Sequence, residues 1–238
     1  AAMLRGLPDP VSRFCLAGLA GAVAVLLASA PLLGLGAPGQ SAVIAAAAMS
    51  GAVALGAAQL RRNHPHARLG LANLVTLARL AIIGVILVAF LEARPADWVV
   101  LALAILSLAL DGIDGWLARR QTLASAFGAR FDVEVDAFFA LLLAAYAVRT
   151  GAAEAYVILL ALPHYAFWAA RRLLPWLNAP LPPSFARKAV CVAQIGVLIA
   201  LLVPGLPAGL VNTLVIAVIA GLAWSFGRDI LWLHRQRG

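Results

Sequence analysis

Between Cys15 and Gln59 the chain carries no ionisable side chain, and that single feature removes most of the folds open to a polypeptide. A run needs about 20 apolar residues to cross a ~30 Å hydrocarbon core. Eight candidates meet that need, at roughly 14–35, 41–60, 72–92, 97–118, 132–149, 152–173, 187–204 and 208–232. Only 12% of the 238 residues are charged and 64% are hydrophobic, whereas soluble domains carry about 25% charged residues. Inside lipid every backbone polar group must be paired within the protein, and these Leu/Ala/Val runs lack the alternation of barrel strands. The sequence therefore predicts an all-α fold, a polytopic membrane helix bundle.

The net charge of +8 is distributed in a way that argues against a nucleic-acid partner. Basic residues gather in short connections: Arg61, Arg62 and Arg68; Arg119, Arg120 and Arg130; Arg171 and Arg172; Arg187 and Lys188; Arg228, Arg235 and Arg237. They alternate with connections such as the one holding Glu92, Arg94 and Asp97. This positive-inside pattern places both termini and the connection after Asp111 on the cytoplasmic side, and it favours anionic lipid headgroups. Arg5 and Arg13 ahead of an apolar run ending Ala28-Ser29-Ala30 resemble a signal peptide. A second apolar run follows at once, so a retained membrane helix is expected.

The clearest seam is the polar run from Arg61 to Arg68, which contains Pro65. It divides an N-terminal transmembrane hairpin with its basic linker, 1–68, from a six-helix domain, 69–238. His64 and His66 in that seam read as solvated loop residues. Cys15 and Cys191 form no zinc or disulfide framework and are expected to be small buried packing residues. Trp98, Trp168, Trp176, Trp224 and Trp232 read as interfacial anchors near helix ends.

Against this apolar background, acidic residues concentrate in one place. Asp111, Asp114, Asp132, Glu134 and Asp136 account for half of the chain's 10 acidic residues. Ionisable groups at membrane depth are costly, mark function and need partners. Asp111 and Asp114 lie three apart on one helix face, with Gly115 and Ala118 beside them, and Asp132 and Asp136 lie four apart on the next helix. Antiparallel neighbours would bring the two pairs together. Four carboxylates so placed would repel one another without a cation, and they are the hard oxygen donors that magnesium, manganese or calcium takes. The pattern suits one or two ions about 3.5–4 Å apart, as in two-metal phosphoryl-transfer sites. Small residues at Gly115, Ala118 and Gly128 allow close approach of a bulky ligand, and Arg119 can neutralise a phosphate. Glu134 sits about 200° around the helix from Asp132 and is left out of the site.

The stretch Asp111–Asp136 resembles the signature of the CDP-alcohol phosphotransferases, D-x2-D-G-x2-A-R-x8-G-x3-D-x3-D, at every defined position. Asn73-Leu-Val-Thr76-Leu-Ala-Arg79 is similar to the N-x-x-T-x-x-R that opens the family's first core helix. The resemblance covers about residues 70–234, and the leading hairpin is a departure from it. It implies a metal-dependent phosphatidyltransferase, with two ions of Mg2+ or Mn2+ as cofactor. Asp111, Asp114, Asp132 and Asp136 would hold the metal, and Asp136 would also act as general base on the incoming hydroxyl. Gly115, Ala118, Arg119, Gly128, Thr76 and Asn73 would line the CDP site. The donor would be CDP-diacylglycerol, the acceptor a small polar alcohol, and CMP the product. A homodimer in a bacterial inner membrane is the expected setting.

Residues for a charged acceptor are Arg79, Arg130, His164 and Lys188, with Arg171 and Arg187 as further basic candidates. Arg187, Lys188 and Gln194 are similar to the lysine-bearing stretch of members that make phosphatidylglycerol phosphate. Those members usually carry an arginine–glutamate pair where this chain has His164-Tyr165. Glycerol phosphate is therefore one alternative acceptor. An intramembrane cation or proton transporter is the rival class, since such proteins also keep acids at membrane depth.

Overall fold

Helices account for the secondary structure of the described residues, as the Leu- and Ala-rich composition favours. The computed structural model describes residues 9–63, 66, 68–121, 123, 125–182 and 184–236, excluding the side chains of residues 63, 114–116, 118, 119 and 121. In order the helices are α1 Pro10–Leu33, α2 Gln40–Asn63, α3 Leu71–Leu91, α4 Trp98–Gln121 and α5 Ala126–Arg149. They are followed by α6 Leu162–Leu173, α7 Phe185–Ala200 and α8 Ala208–Arg235, with short 3₁₀ turns at Ala155–Leu160 and Pro175–Asn178. No strand occurs among the described residues. α1, α2, α3 and α8 are long and apolar enough to cross a membrane, and the protein is an all-α integral membrane bundle.

Two compact units divide the chain. The first comprises Ala1–Arg94 and Val99–Asp136, the second Pro95–Trp98 and Ala137–Gly238. In the first, α1 packs on α2 and α3, and α2 also packs on α3. Small residues let the backbones come close. A Cβ at Gly18 would lie 2.5 Å from the Val53 methyls, and one at Gly84 would lie 2.8 Å from Val25. At one end of this group the Ser41 hydroxyl donates to the Glu92 carboxylate, and the Arg94 guanidinium donates to the Leu33 carbonyl. These bonds tie the α1–α2 turn to the end of α3. At the start of α1, Asp9 accepts hydrogen bonds from the backbone N–H groups of Val11 and Ser12 and from the Ser12 hydroxyl. The bonds from Ser12 hold the Asp9 carboxyl below its ordinary range.

In the second unit α7 packs on α8. Ser184 caps α7 by accepting from the Arg187 N–H, and Arg187 Nε donates to Asp229 Oδ2 on α8 at 2.8 Å. Tyr156 donates to Asn212 Oδ1 at 2.6 Å, and Gln194 donates to the Leu160 carbonyl at 2.7 Å.

Three expectations are corrected. The apolar run 152–173 is not one continuous helix but a 3₁₀ turn and a 12-residue α6. Pro163 cannot donate a backbone hydrogen bond, so it sits in the first turn of α6 rather than inside a longer helix. At 1.5 Å per residue α6 is about 18 Å long, short of a ~30 Å span. Cys15 and Cys191 are exposed rather than buried, because their positions on α1 and α7 face outward. Trp224 lies midway along α8 rather than near its end, with its ring beneath Arg228.

Candidate active site

Among the described residues, Arg79 joins three of the acidic side chains. Arg79 lies on α3 and is 1% exposed, in a helix with no other charged residue. Its Nη1 lies 2.9 Å from Asp111 Oδ1 on α4 and 2.7 Å from Asp132 Oδ1 on α5. Nη2 donates to Asp136 Oδ1, and Nε donates to the Ser107 carbonyl at 3.2 Å. The planar fork thus engages three carboxylates from two helices, a geometry that a lysine ammonium cannot reproduce.

The carboxylates are less enclosed than the arginine. Asp111, Asp132 and Asp136 side chains retain 33%, 34% and 40% of their exposure. Arg79 therefore closes the floor of the cluster while the oxygens stay reachable from the other side. One oxygen from each of the three aspartates lies within 4.8 Å of the others. Hard oxygen donors gathered this closely fit a divalent ion such as magnesium or manganese. Asp136 keeps a second carboxylate oxygen besides the one that Arg79 engages.

The first turn of α5 is capped by a local hydrogen bond. Ser125 precedes the helix, and its hydroxyl accepts from the Gly128 N–H at 3.0 Å, satisfying one of the donors that a helix start leaves open. Gly128 faces α3. A Cβ there would lie 2.9 Å from Asn73 Oδ1 and 3.4 Å from Ser125 Oγ. The missing side chain is thus filled by the buried Asn73 amide. Thr76, one turn along α3, is also buried, and its hydroxyl donates to the Ala72 carbonyl at 3.1 Å.

Asn73, Thr76, Arg79, Asp111, Gly128, Asp132 and Asp136 all belong to the first compact unit. The side chains of Asp114, Gly115, Ala118 and Arg119 lie outside the described residues. Glu134 is exposed, on the side of α5 away from Asp132. Among the residues assigned to an acceptor, Arg79 stands with the aspartates, while Arg130 is exposed on α5. His164 and Lys188 belong to the second unit, where the His164 ring meets Tyr165 edge-on at 5.2 Å and Lys188 is exposed.

Sequence reasoning missed the place of Arg79 as counter-cation to the cluster. The signal was present, because a basic residue within the apolar run of α3 needs carboxylate partners. It also missed the Ser125 cap and the Arg187–Asp229 pair. A serine immediately before the apolar start of a helix, as in Ser125-Ala126-Phe127, is a readable N-cap pattern.

Residues 69–226 match the family model for CDP-alcohol phosphatidyltransferase. That is more than half of the chain, and the chain belongs to the CDP-alcohol phosphatidyltransferase family. No curated protein and no solved structure matches it. Proteins of this family transfer a phosphatidyl group from a CDP-alcohol to another alcohol, generally with a divalent metal. The matched stretch begins where the basic seam ends and contains every residue of the acidic cluster.

Proposed function

We propose that the protein transfers the phosphatidyl group of CDP-diacylglycerol to the hydroxyl of a small polar alcohol, releasing CMP in phospholipid biosynthesis. The observation that carries this reading is the convergence of Asp111, Asp132 and Asp136, within 4.8 Å of one another, inside the stretch that matches the family. We assign residues 69–238 as the catalytic domain and 1–68 as an accessory hairpin.

In the proposed reaction the acceptor oxygen attacks the phosphorus that bears the diacylglycerol. The bond from that phosphorus to the bridging oxygen breaks, and its electron pair leaves with CMP. Asp136 takes the hydroxyl proton, a task suited to a carboxylate within reach of the attacking oxygen. Asp111, Asp114, Asp132 and Asp136 would hold Mg2+ or Mn2+, two ions in this proposal. When bound, such ions neutralise charge developing on the phosphoryl and leaving oxygens. Asn73, Thr76, Gly115, Ala118, Arg119 and Gly128 would receive the CDP moiety. Arg79 would keep Asp132 and Asp136 oriented toward it. Within the same unit, Arg130 would meet a charged acceptor. A homodimer with its active site on the cytoplasmic side of a bacterial inner membrane is the proposed setting.

The test is a panel of alcohols, glycerol 3-phosphate included, offered with CDP-diacylglycerol to the purified full chain in lipid, with CMP release measured. Release with one acceptor class supports the reading and names the acceptor. Absence of release with every alcohol, in a folded sample supplied with magnesium or manganese, would overturn it. Cation flux through sealed vesicles in that case would favour the transporter class.

A further inference from the structure

Phe14 stands on α1, outside the stretch that matches the family, yet it is 0% exposed. Its ring meets Phe127 edge-on, with centroids 5.6 Å apart and planes at 80°, and Phe131 at 5.3 Å and 72°. Phe127 and Phe131 in turn stack on one another at 5.8 Å, with planes 8° apart. Edge-to-face and offset-stacked pairs are the arrangements that aromatic quadrupoles prefer. The three rings form one cluster between the hairpin and the start of α5.

The partners of Phe14 alternate with the candidate site. Phe127 precedes Gly128, and Phe131 precedes Asp132. Successive helical residues are about 100° apart, so the aromatic face of α5 and its acidic face turn together. α2 shapes the same pocket: a Cβ at Gly56 would lie 3.0 Å from Cε1 and Cζ of Phe14. Beyond the Ser125 cap, the first turn of α5 has few intrahelical bonds to define it. Its setting depends on what packs against it.

We propose that Phe14 is a positioning residue, through which the N-terminal hairpin sets the rotation of α5. That rotation aims Asp132 and Asp136 at Arg79 and seats Gly128 against Asn73. The hairpin is then a brace for the acidic cluster. Its effect on turnover rests on the phosphatidyltransferase reading, whereas its effect on α5 does not.

The experiment compares Phe14→Ala, Phe14→Leu and Val25→Ala in the full chain, reconstituted in lipid. Val25 is 1% exposed and packs on Gly84 of α3, so its truncation loosens the hairpin at a contact with α3, about three turns along α1 from Phe14. Two quantities are read: amide hydrogen exchange over residues 126–136, and kcat and KM for CMP release. Phe14→Ala should raise exchange in that segment by about tenfold, as expected for a locally loosened element. It should lower kcat by about 10- to 100-fold with little change in acceptor KM, because small misplacements of reacting groups are costly. Phe14→Leu, which keeps most of the volume, should recover most of both, and Val25→Ala should leave exchange over 126–136 at the wild-type level.

Wild-type exchange over 126–136 in Phe14→Ala would overturn the inference, as would an equal rise in Val25→Ala. Should Phe14→Ala fail to fold, the milder truncation Phe14→Val takes its place, with the same rise over 126–136 expected and wild-type exchange there again overturning the inference. Wild-type protein that releases no CMP sinks the functional reading, while the exchange measurements still decide the role of Phe14.

Discussion

Arg79 Nη1 and Asp132 Oδ1 lie 2.7 Å apart, joining α3 to α5 across a sequence separation of 53 residues. The same nitrogen reaches Asp111, and the neighbouring one reaches Asp136. One cation therefore balances part of the charge of three acids that would otherwise repel one another.

Removing that cation should be felt in both stability and turnover. Truncating one partner of a buried ion pair costs about 3–5 kcal/mol, and the partial exposure of the aspartates places Arg79→Gln toward or below the lower end of that range. Its thermal midpoint should fall in lipid or detergent. Arg79→Lys should restore little, since a point charge cannot bridge the carboxylates as the fork does. Full recovery of midpoint and CMP release in Arg79→Lys would contradict the bridging role.

Chelation offers a second test. Dialysis against EDTA should abolish CMP release, and added magnesium or manganese should restore it in wild type. Asp132→Asn should require a higher metal concentration for half-maximal rate. Asp136→Asn should lower kcat by about 10²- to 10⁴-fold, the usual contribution of a general base, while helical circular dichroism stays unchanged. Turnover that survives both chelation and Asp136→Asn would remove these aspartates from the mechanism.

Gly128 and Asn73 should behave as a coupled pair. In Gly128→Ala the new methyl would meet Asn73 Oδ1 at 2.9 Å, closer than ordinary packing allows, so α3 or the Asn73 side chain must move. Contacting residues typically show coupling of about 0.5–3 kcal/mol in double-mutant cycles. Asn73→Ala should therefore offset part of the destabilisation caused by Gly128→Ala. Strict additivity of the two thermal effects would place the residues out of contact.

The cap of α1 predicts a pH signature. Hydrogen bonds from Ser12 lower the Asp9 carboxyl in the folded chain, so the cap contributes when pH is above the unfolded aspartate value of about 3.9. The contribution disappears as pH falls through the lower folded value. Nuclear magnetic resonance shifts of the Val11 and Ser12 amides should titrate together, with a midpoint below that unfolded value. A midpoint at or above it would mean that the cap does not form.

The acidic motif was legible because its information is local. Helical spacing alone puts Asp132 and Asp136 on one face and turns Glu134 away. The broken segment after Arg149 was less legible, because hydropathy sums over a window and barely registers one proline. Pro163 changes no average but removes a backbone donor. Cys15 and Cys191 misled for a related reason: residue type indicates a preference for apolar surroundings, and lipid-facing and core-facing positions both satisfy it.

Taken alone, the order of residues determined that this is an all-α membrane protein and where its acidic motif lies, because hydrophobicity and helical periodicity act within a few turns. Tertiary structure decided that Arg79 is the counter-cation of the cluster and that Phe14 packs against the start of α5. Both facts join segments far apart in the chain, and such neighbours are chosen by the packing of whole helices, which no local spacing encodes.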